Sequence, residues 1–224
     1  MAQLIIAIAV FLAAHVVPAA TGLRGYLIAR LGRPVYIALY SAVSLATLAW
    51  VIWAARTAPY VELWAPGRTT ALVPIVLLLP ACVLLVAGTA RPNPLSVSFR
   101  AGLPAARNSG IAGVLRHPIL WAFFLWAASH LVANGDVVSV ILFGGLALFS
   151  LAGMKRLEVR ARARLPEADY AVAVAATSGS PGQRLRRAAC PATLWQLGAG
   201  AVLYLGLLHL HGPVIGVAPL DWLR

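Results

Sequence analysis

Five histidines are the side chains of this sequence best suited to bind a metal or move a proton: His15, His117, His130, His209 and His211. Each lies within, or at the end of, an apolar stretch. Neutral imidazole is among the least costly ionisable groups to place there, and it is a common ligand of haem iron and transition metals. The competing role is structural: a histidine hydrogen-bonded to a neighbouring helix. At about 1.5 Å and 100° per helical residue, His130 lies roughly 20 Å beyond His117 and is rotated roughly 140° from it, so these two cannot share one small site. His15 falls about 9 Å inside the end of its stretch. His209 and His211 are two residues apart and face nearly opposite ways, so at most one of them can join a site with His130.

Two short motifs border these histidines. Arg116-His117-Pro118 places a cation and an imidazole just ahead of a proline suited to the first turn of a helix. One reading is an anchored helix start; the other is a contact with an anionic group or cofactor. Asn134-Gly135-Asp136 reads as a tight turn between antiparallel helices, with both polar side chains kept as secondary candidates. Glu158 stands among arginines and is spaced to pair with Arg162 four residues on.

The elements that must hold these groups are six apolar blocks, at about residues 4–20, 35–55, 70–88, 119–133, 137–154 and 194–211. About 20 helical residues cross a hydrocarbon core of ~30 Å. Backbone groups in lipid must be bonded internally, so the blocks predict an all-α, polytopic membrane bundle with six transmembrane helices. The fourth block is the shortest. The connections 21–34, 89–118 and 155–193 carry 15 of the 18 basic residues, Arg107 among them. The alternate side has only Arg56, Arg68 and Arg224. Positive charge marks the cytoplasmic side, so both termini are expected to face away from it. Residues 91–115 read as irregular, and 155–176 as a helical continuation of the fifth block.

Composition supports the same class. Hydrophobic residues make up 61% of the chain and charged residues 11%. A water-soluble domain of 224 residues could not sustain that balance. The net charge of +12 sits in short connections, where it serves topology and lipid contact. With no polar domain to carry a basic patch, nucleic acid is not an expected partner; the lipid bilayer is. Cys82 and Cys190 form no CxxC motif, and no basic residue precedes Arg24 to make a signal peptide. The first block therefore reads as a retained helix. No internal repeat or soluble domain interrupts residues 1–224, which read as one membrane domain of bacterial inner-membrane type.

The run from Leu125 through Ser129-His130 to Asn134-Gly135-Asp136, preceded by Arg116-His117-Pro118 and followed by Leu142-Phe143-Gly144-Gly145, resembles the signature of NnrU family membrane proteins. His15 and the closing His211-Gly212-Pro213, with Gly216 and Pro219, fit the same pattern over nearly the whole chain. The resemblance implies an association with denitrification, meaning nitrite and nitric oxide reduction, and a place beside respiratory membrane proteins. It also implies kinship with 15-cis-zeta-carotene isomerase, a membrane enzyme that carries haem b and isomerises a lipid-soluble polyene. Its proposed haem ligands fall on His15 and His130. Its cysteine three residues before the second histidine falls on Ala127, so a thiolate ligand is not carried over. By depth alone, His15 with His117, or His130 with a histidine of the sixth block, stay open as other pairs.

A second similarity is to isoprenylcysteine carboxyl methyltransferases, which use S-adenosylmethionine. They too place Arg-His-Pro at a helix start and follow it with glutamates and a tyrosine. Here the tyrosine and glycine expected after the motif are Leu120 and Ala122, the glutamates reduce to Glu158, and Asp169-Tyr170 remains. The leading expectation is a haem-binding membrane protein with His15 and His130 on the iron and Arg116 and His117 at the mouth. The rivals are a methyltransferase using Arg116, His117 and Glu158, and a non-enzymatic assembly partner whose histidines are merely packed.

Overall fold

The structure is a computed structural model that describes residues 1–104 and 110–223; Arg107 and Arg224 of the charge pattern lie outside the described residues. Helices account for nearly all regular structure and no strand is present among the described residues. In chain order they are α1 (Ala2–Ala20), α2 (Leu23–Leu31), α3 (Arg33–Thr57), α4 (Arg68–Ala90), α5 (Pro118–Asn134), α6 (Val137–Arg164), α7 (Glu167–Ala175), α8 (Pro181–Ala188) and α9 (Pro191–Ile215). Single 3-10 turns cover Gly110–Gly113 and Pro219–Leu223.

Among the described residues, α3, α4, α6 and α9 are long and apolar enough to cross a membrane. The first apolar block is interrupted: Ala2–Pro18 and Leu23–Leu31 meet at 75°, and counted as one broken span they bring the total to five. The remaining expected span, the fourth block, is α5, which at 17 residues stands at the lower limit for crossing. The fold is thus an all-helical membrane protein with four to five candidate spans where the apolar blocks predict six.

Two compact units are present, Met1–Val61 and Glu62–Arg224. In the first, α1 packs on α3 with Leu4 and Ala7 fully buried. Gly32, at φ 78°, lets α2 stop and α3 start without a linker, a backbone state open to glycine at little cost.

The second unit is built around α4, whose Ala81, Cys82, Val83, Leu84, Ala87 and Gly88 are buried. Lipid tails are as apolar as leucine, so helices in a membrane associate by close packing, and small residues permit it. A Cβ on Gly88 of α4 would come within 2.5 Å of the Ile119 side chain of α5 and 3.1 Å of its backbone nitrogen. On α9, a Cβ at Gly200 would come within 2.6 Å of the Val83 side chain and 2.7 Å of its Cα. The Tyr204 hydroxyl of α9 also donates to the Ile75 carbonyl at 2.8 Å, in the helical segment before Pro80. Buried Gln196 of α9 accepts a 2.8 Å bond from the Ile111 N–H, pinning the 110–113 turn to that helix.

α6 starts at the tight turn after α5 and contains one π-helical turn, Val140–Gly144, before running on as α-helix from Gly145 to Arg164. The expected continuation past the fifth block is therefore real to Arg164, breaks at Pro166, and resumes as α7.

Because backbone atoms of α4 cannot retreat from a new methyl group, Gly200→Ala should destabilise the protein by about 1–3 kcal/mol. Gly198→Ala, two residues away and facing open space, should be near neutral. Thermal unfolding of both variants in detergent checks this, and equal melting temperatures would contradict the packing.

Candidate functional site

At the arginine-rich end, the loop after α4 and the start of α5 meet α6 and the segment after α7. Pro118 opens α5, and Asn93 anchors the approach by donating to the Arg116 carbonyl at 2.8 Å. The Arg116 guanidinium then makes three bonds in three directions: to Glu158 Oε1 at 2.5 Å, Thr177 Oγ1 at 3.3 Å and Ser178 Oγ at 3.2 Å. Arg187 of α8 closes the same segment by donating to the Ala175 and Ser178 carbonyls. Glu158 is thus the partner of Arg116, not of Arg162 as helical spacing suggests. Arg162 instead lies over the Tyr170 ring at 6.0 Å.

His117 sits against the same carboxylate, its Nε2 3.5 Å from Glu158 Oε1. Only 5% of the residue is exposed, and its Nδ1 has no partner among the described residues. With Nε2–H turned to Glu158, Nδ1 is a buried lone pair left for a water or ligand. Burial lowers the His117 pKa, Glu158 partly offsets this, and Arg116 adds a push downward. Beside the cluster is a cavity of about 220 Å³, whose polar lining is Arg91, Asn93 and Thr177 between Gly88, Pro118 and Ala173.

The opposite end of the same unit holds His130 and His211. The His130 Nδ1 lies 2.8 Å from the Trp126 carbonyl. That contact requires Nδ1–H and leaves Nε2 as the free lone pair. Trp126 and Phe143 flank the ring at centroid distances of 5.4 and 5.3 Å. Phe143 is carried by the π-helical turn of α6, an irregularity often found at functional positions. The His211 ring is 6.3 Å from that of His130. Its Nδ1 lies 2.7 Å from the Val217 carbonyl, reached because Gly216, at φ 92°, turns the chain back after α9.

The secondary candidates here make local bonds. Asn134 donates to the His130 carbonyl at 2.7 Å, and Asp136 caps α6 by accepting from the Ser139 N–H at 3.0 Å and hydroxyl at 2.6 Å. Trp64 is more than an interfacial anchor: its indole donates to the Val132 carbonyl at 2.9 Å, and its backbone N–H donates to Gly135 O at 3.0 Å. Gly135 sits at φ 69°, and a Cβ there would collide with the Trp64 carbonyl oxygen. No other residue fits that position.

In the first unit, His15 donates from Nδ1 to the Phe11 carbonyl at 2.7 Å and meets Tyr40 edge-on at 5.6 Å. His209 bonds Leu205 O at 2.8 Å and is exposed. Among the described residues no cluster of three or more His, Cys, Asp or Glu side chains is placed to hold a metal. Sequence reasoning missed Asn93, Thr177, Ser178 and Trp64. Their only signal was the presence of polar or aromatic residues in connections next to the named motifs.

The folded chain binds a proton at His117 less readily than the unfolded chain, so stability falls as pH drops below histidine's ordinary 6.5. His117→Gln should remove that part of the loss, read as a smaller drop in melting temperature between acidic and neutral pH. For the Arg116–Glu158 pair, about one-third exposed on both sides, a double-mutant cycle with Arg116→Gln and Glu158→Gln should give a coupling of about 1 kcal/mol. A coupling near zero would mean that the hydroxyl contacts alone hold Arg116.

Against known proteins, the model of the family described as NnrU protein matches residues 3–219. No curated protein and no solved structure matches the chain. The match takes in every helix from α1 to α9 and both histidine-bearing ends of the second unit, and the chain belongs to the NnrU family.

Proposed function

We propose that this protein is a haem-binding member of the NnrU family that serves nitrite and nitric oxide reduction or acts on a lipid-soluble polyene. The observation that carries the reading is the setting of His130, between Trp126 and Phe143 and near His211. Its Nδ1 proton is committed to the Trp126 carbonyl, so the neutral ring keeps Nε2 for a metal, in a setting of Trp126 and Phe143. That donor set fits haem iron, which is commonly held by imidazole with the other ring nitrogen bonded to a carbonyl. His15, the second ligand implied by family resemblance, has the same arrangement through the Phe11 carbonyl. Bound haem would supply a redox-active iron. The chain's own part is to fix the imidazole tautomer and orientation and to keep water from the ring.

A second reading draws on the meeting of Arg116, His117 and Glu158 beside the 220 Å³ cavity. Pockets for drug- or cofactor-sized ligands usually measure about 300–1,000 Å³. Three of the guanidinium donors of Arg116 are already engaged. A small anion or part of a larger ligand suits the cavity better.

The protein purified in detergent should show a Soret band and, on dithionite reduction, sharpened visible bands. His130→Ala should abolish or shift them, and His15→Ala tests the ligand implied by the family. Wild-type protein that stays colourless after incubation with hemin would overturn the haem reading. Indifference of function to every histidine replacement would favour an assembly partner.

A further inference from the structure

His211 has no role in the reading above beyond its place near the end of α9, yet it is the histidine nearest His130 within the second unit. Both rings have Nδ1 bonded to a backbone carbonyl, Trp126 at 2.8 Å and Val217 at 2.7 Å. Both therefore keep Nε2 as their one unshared donor pair. The carbonyl of Val217 is a specific device: it reaches His211 across six residues only because Gly216 ends α9 in the left-handed conformation. His209, two residues away, bonds its own helix at Leu205 and takes no part.

The distance then decides what the pair can do. With metal–nitrogen bonds of about 2.0–2.1 Å and each nitrogen roughly 1 Å from its ring centre, two imidazoles on one metal have centres about 5–6.5 Å apart. The observed 6.3 Å lies at the wide-angle end of that range. Around His130 lie the rings of Trp126 and Phe143, which also meet each other edge-on.

We infer that His130 and His211 form a two-imidazole site for one transition-metal centre. The ligand is defined by shared chemistry: a metal that prefers neutral imidazole, whether the iron of haem or a bare divalent ion. The inference rests on His130 as a metal ligand and makes His211, not His15, its companion. α5 and α9 supply one ligand each, and the remaining positions are left to the macrocycle or to solvent.

The test uses the full-length protein in detergent with two probes, Cu²⁺ and hemin. Cu²⁺ should bind with one equivalent and give an electron paramagnetic resonance spectrum with two nitrogen couplings. His130→Ala and His211→Ala should each weaken binding on the order of 100-fold, while His209→Ala binds as wild type. Should His211→Ala lose helicity by circular dichroism, His211→Asn takes its place, since its amide can still donate to Val217. Hemin separates the two sources. A Soret band shifted in both the His130 and His211 variants identifies the centre as haem. Cu²⁺ binding through both residues with no hemin uptake keeps the pair and sinks the haem reading. A hemin spectrum altered by His15→Ala and His130→Ala but untouched in the His211 variant keeps haem and overturns the pair. Wild-type binding of both probes by the His211 variant, or no binding of either by the folded wild-type protein, also overturns it.

Discussion

Contact between α4 and its two neighbours, at Gly88 and Gly200, sets the terms for the second unit. In a hydrocarbon medium there is little to gain from hiding leucine from solvent, so helices hold together only where their surfaces come close enough for dispersion and occasional polar bonds. Two glycines bring the backbones of α5 and α9 against α4 on different sides. That places Pro118 and the Arg116 cluster at one end of α4. It also brings α9 into register to present Gln196 to the 110–113 turn. His130 and His211 inherit their separation from the same packing, since each belongs to a helix that leans on α4.

Polar side chains in this framework are few and mostly paired, as expected where an unsatisfied group is costly. Arg116 shows the pattern: one guanidinium binds a carboxylate and two hydroxyls from separate segments. The four histidines other than His117 follow a second pattern, each bonding a backbone carbonyl through Nδ1. Such bonding satisfies one nitrogen and leaves the other to its surroundings, so tautomer alone cannot tell a packed histidine from a ligand. What sets His130 apart is a second imidazole, that of His211, with its ring centre 6.3 Å away.

Much of the fold was legible in the sequence because long apolar runs and basic connections are strong signals. Four blocks match α3, α4, α6 and α9: α3, α4 and α9 run two to four residues beyond each end of their blocks, and α6 continues ten residues past its block to Arg164. The span count was less secure for physical reasons. The bend after Pro18 and the 17-residue length of α5 depend on packing and local geometry, which an apolar run does not encode. At the site, the rule of opposite faces correctly allowed only one of His209 and His211 near His130, but could not choose between them. The choice depends on the turn at Gly216. Glu158 misled because helical spacing offered Arg162 as a neighbour, while the three-point demand of Arg116, 42 residues earlier, won the carboxylate. Nothing in sequence announces that Trp64 straddles a glycine turn.

The Gln196 bond to Ile111 has a consequence for how the chain is made. It joins residues 85 positions apart, with α5 to α8 synthesised between them. α4, α5 and α6 are consecutive and can pack as soon as each leaves the ribosome, latched by Trp64 at the Gly135 turn. The 110–113 turn, by contrast, must wait for α9 before its N–H finds an acceptor. Until then the connection leading into Arg116 has one less restraint, and the arginine-rich end stays incomplete. Closure of that end is therefore a late step in biogenesis, tied to insertion of α9.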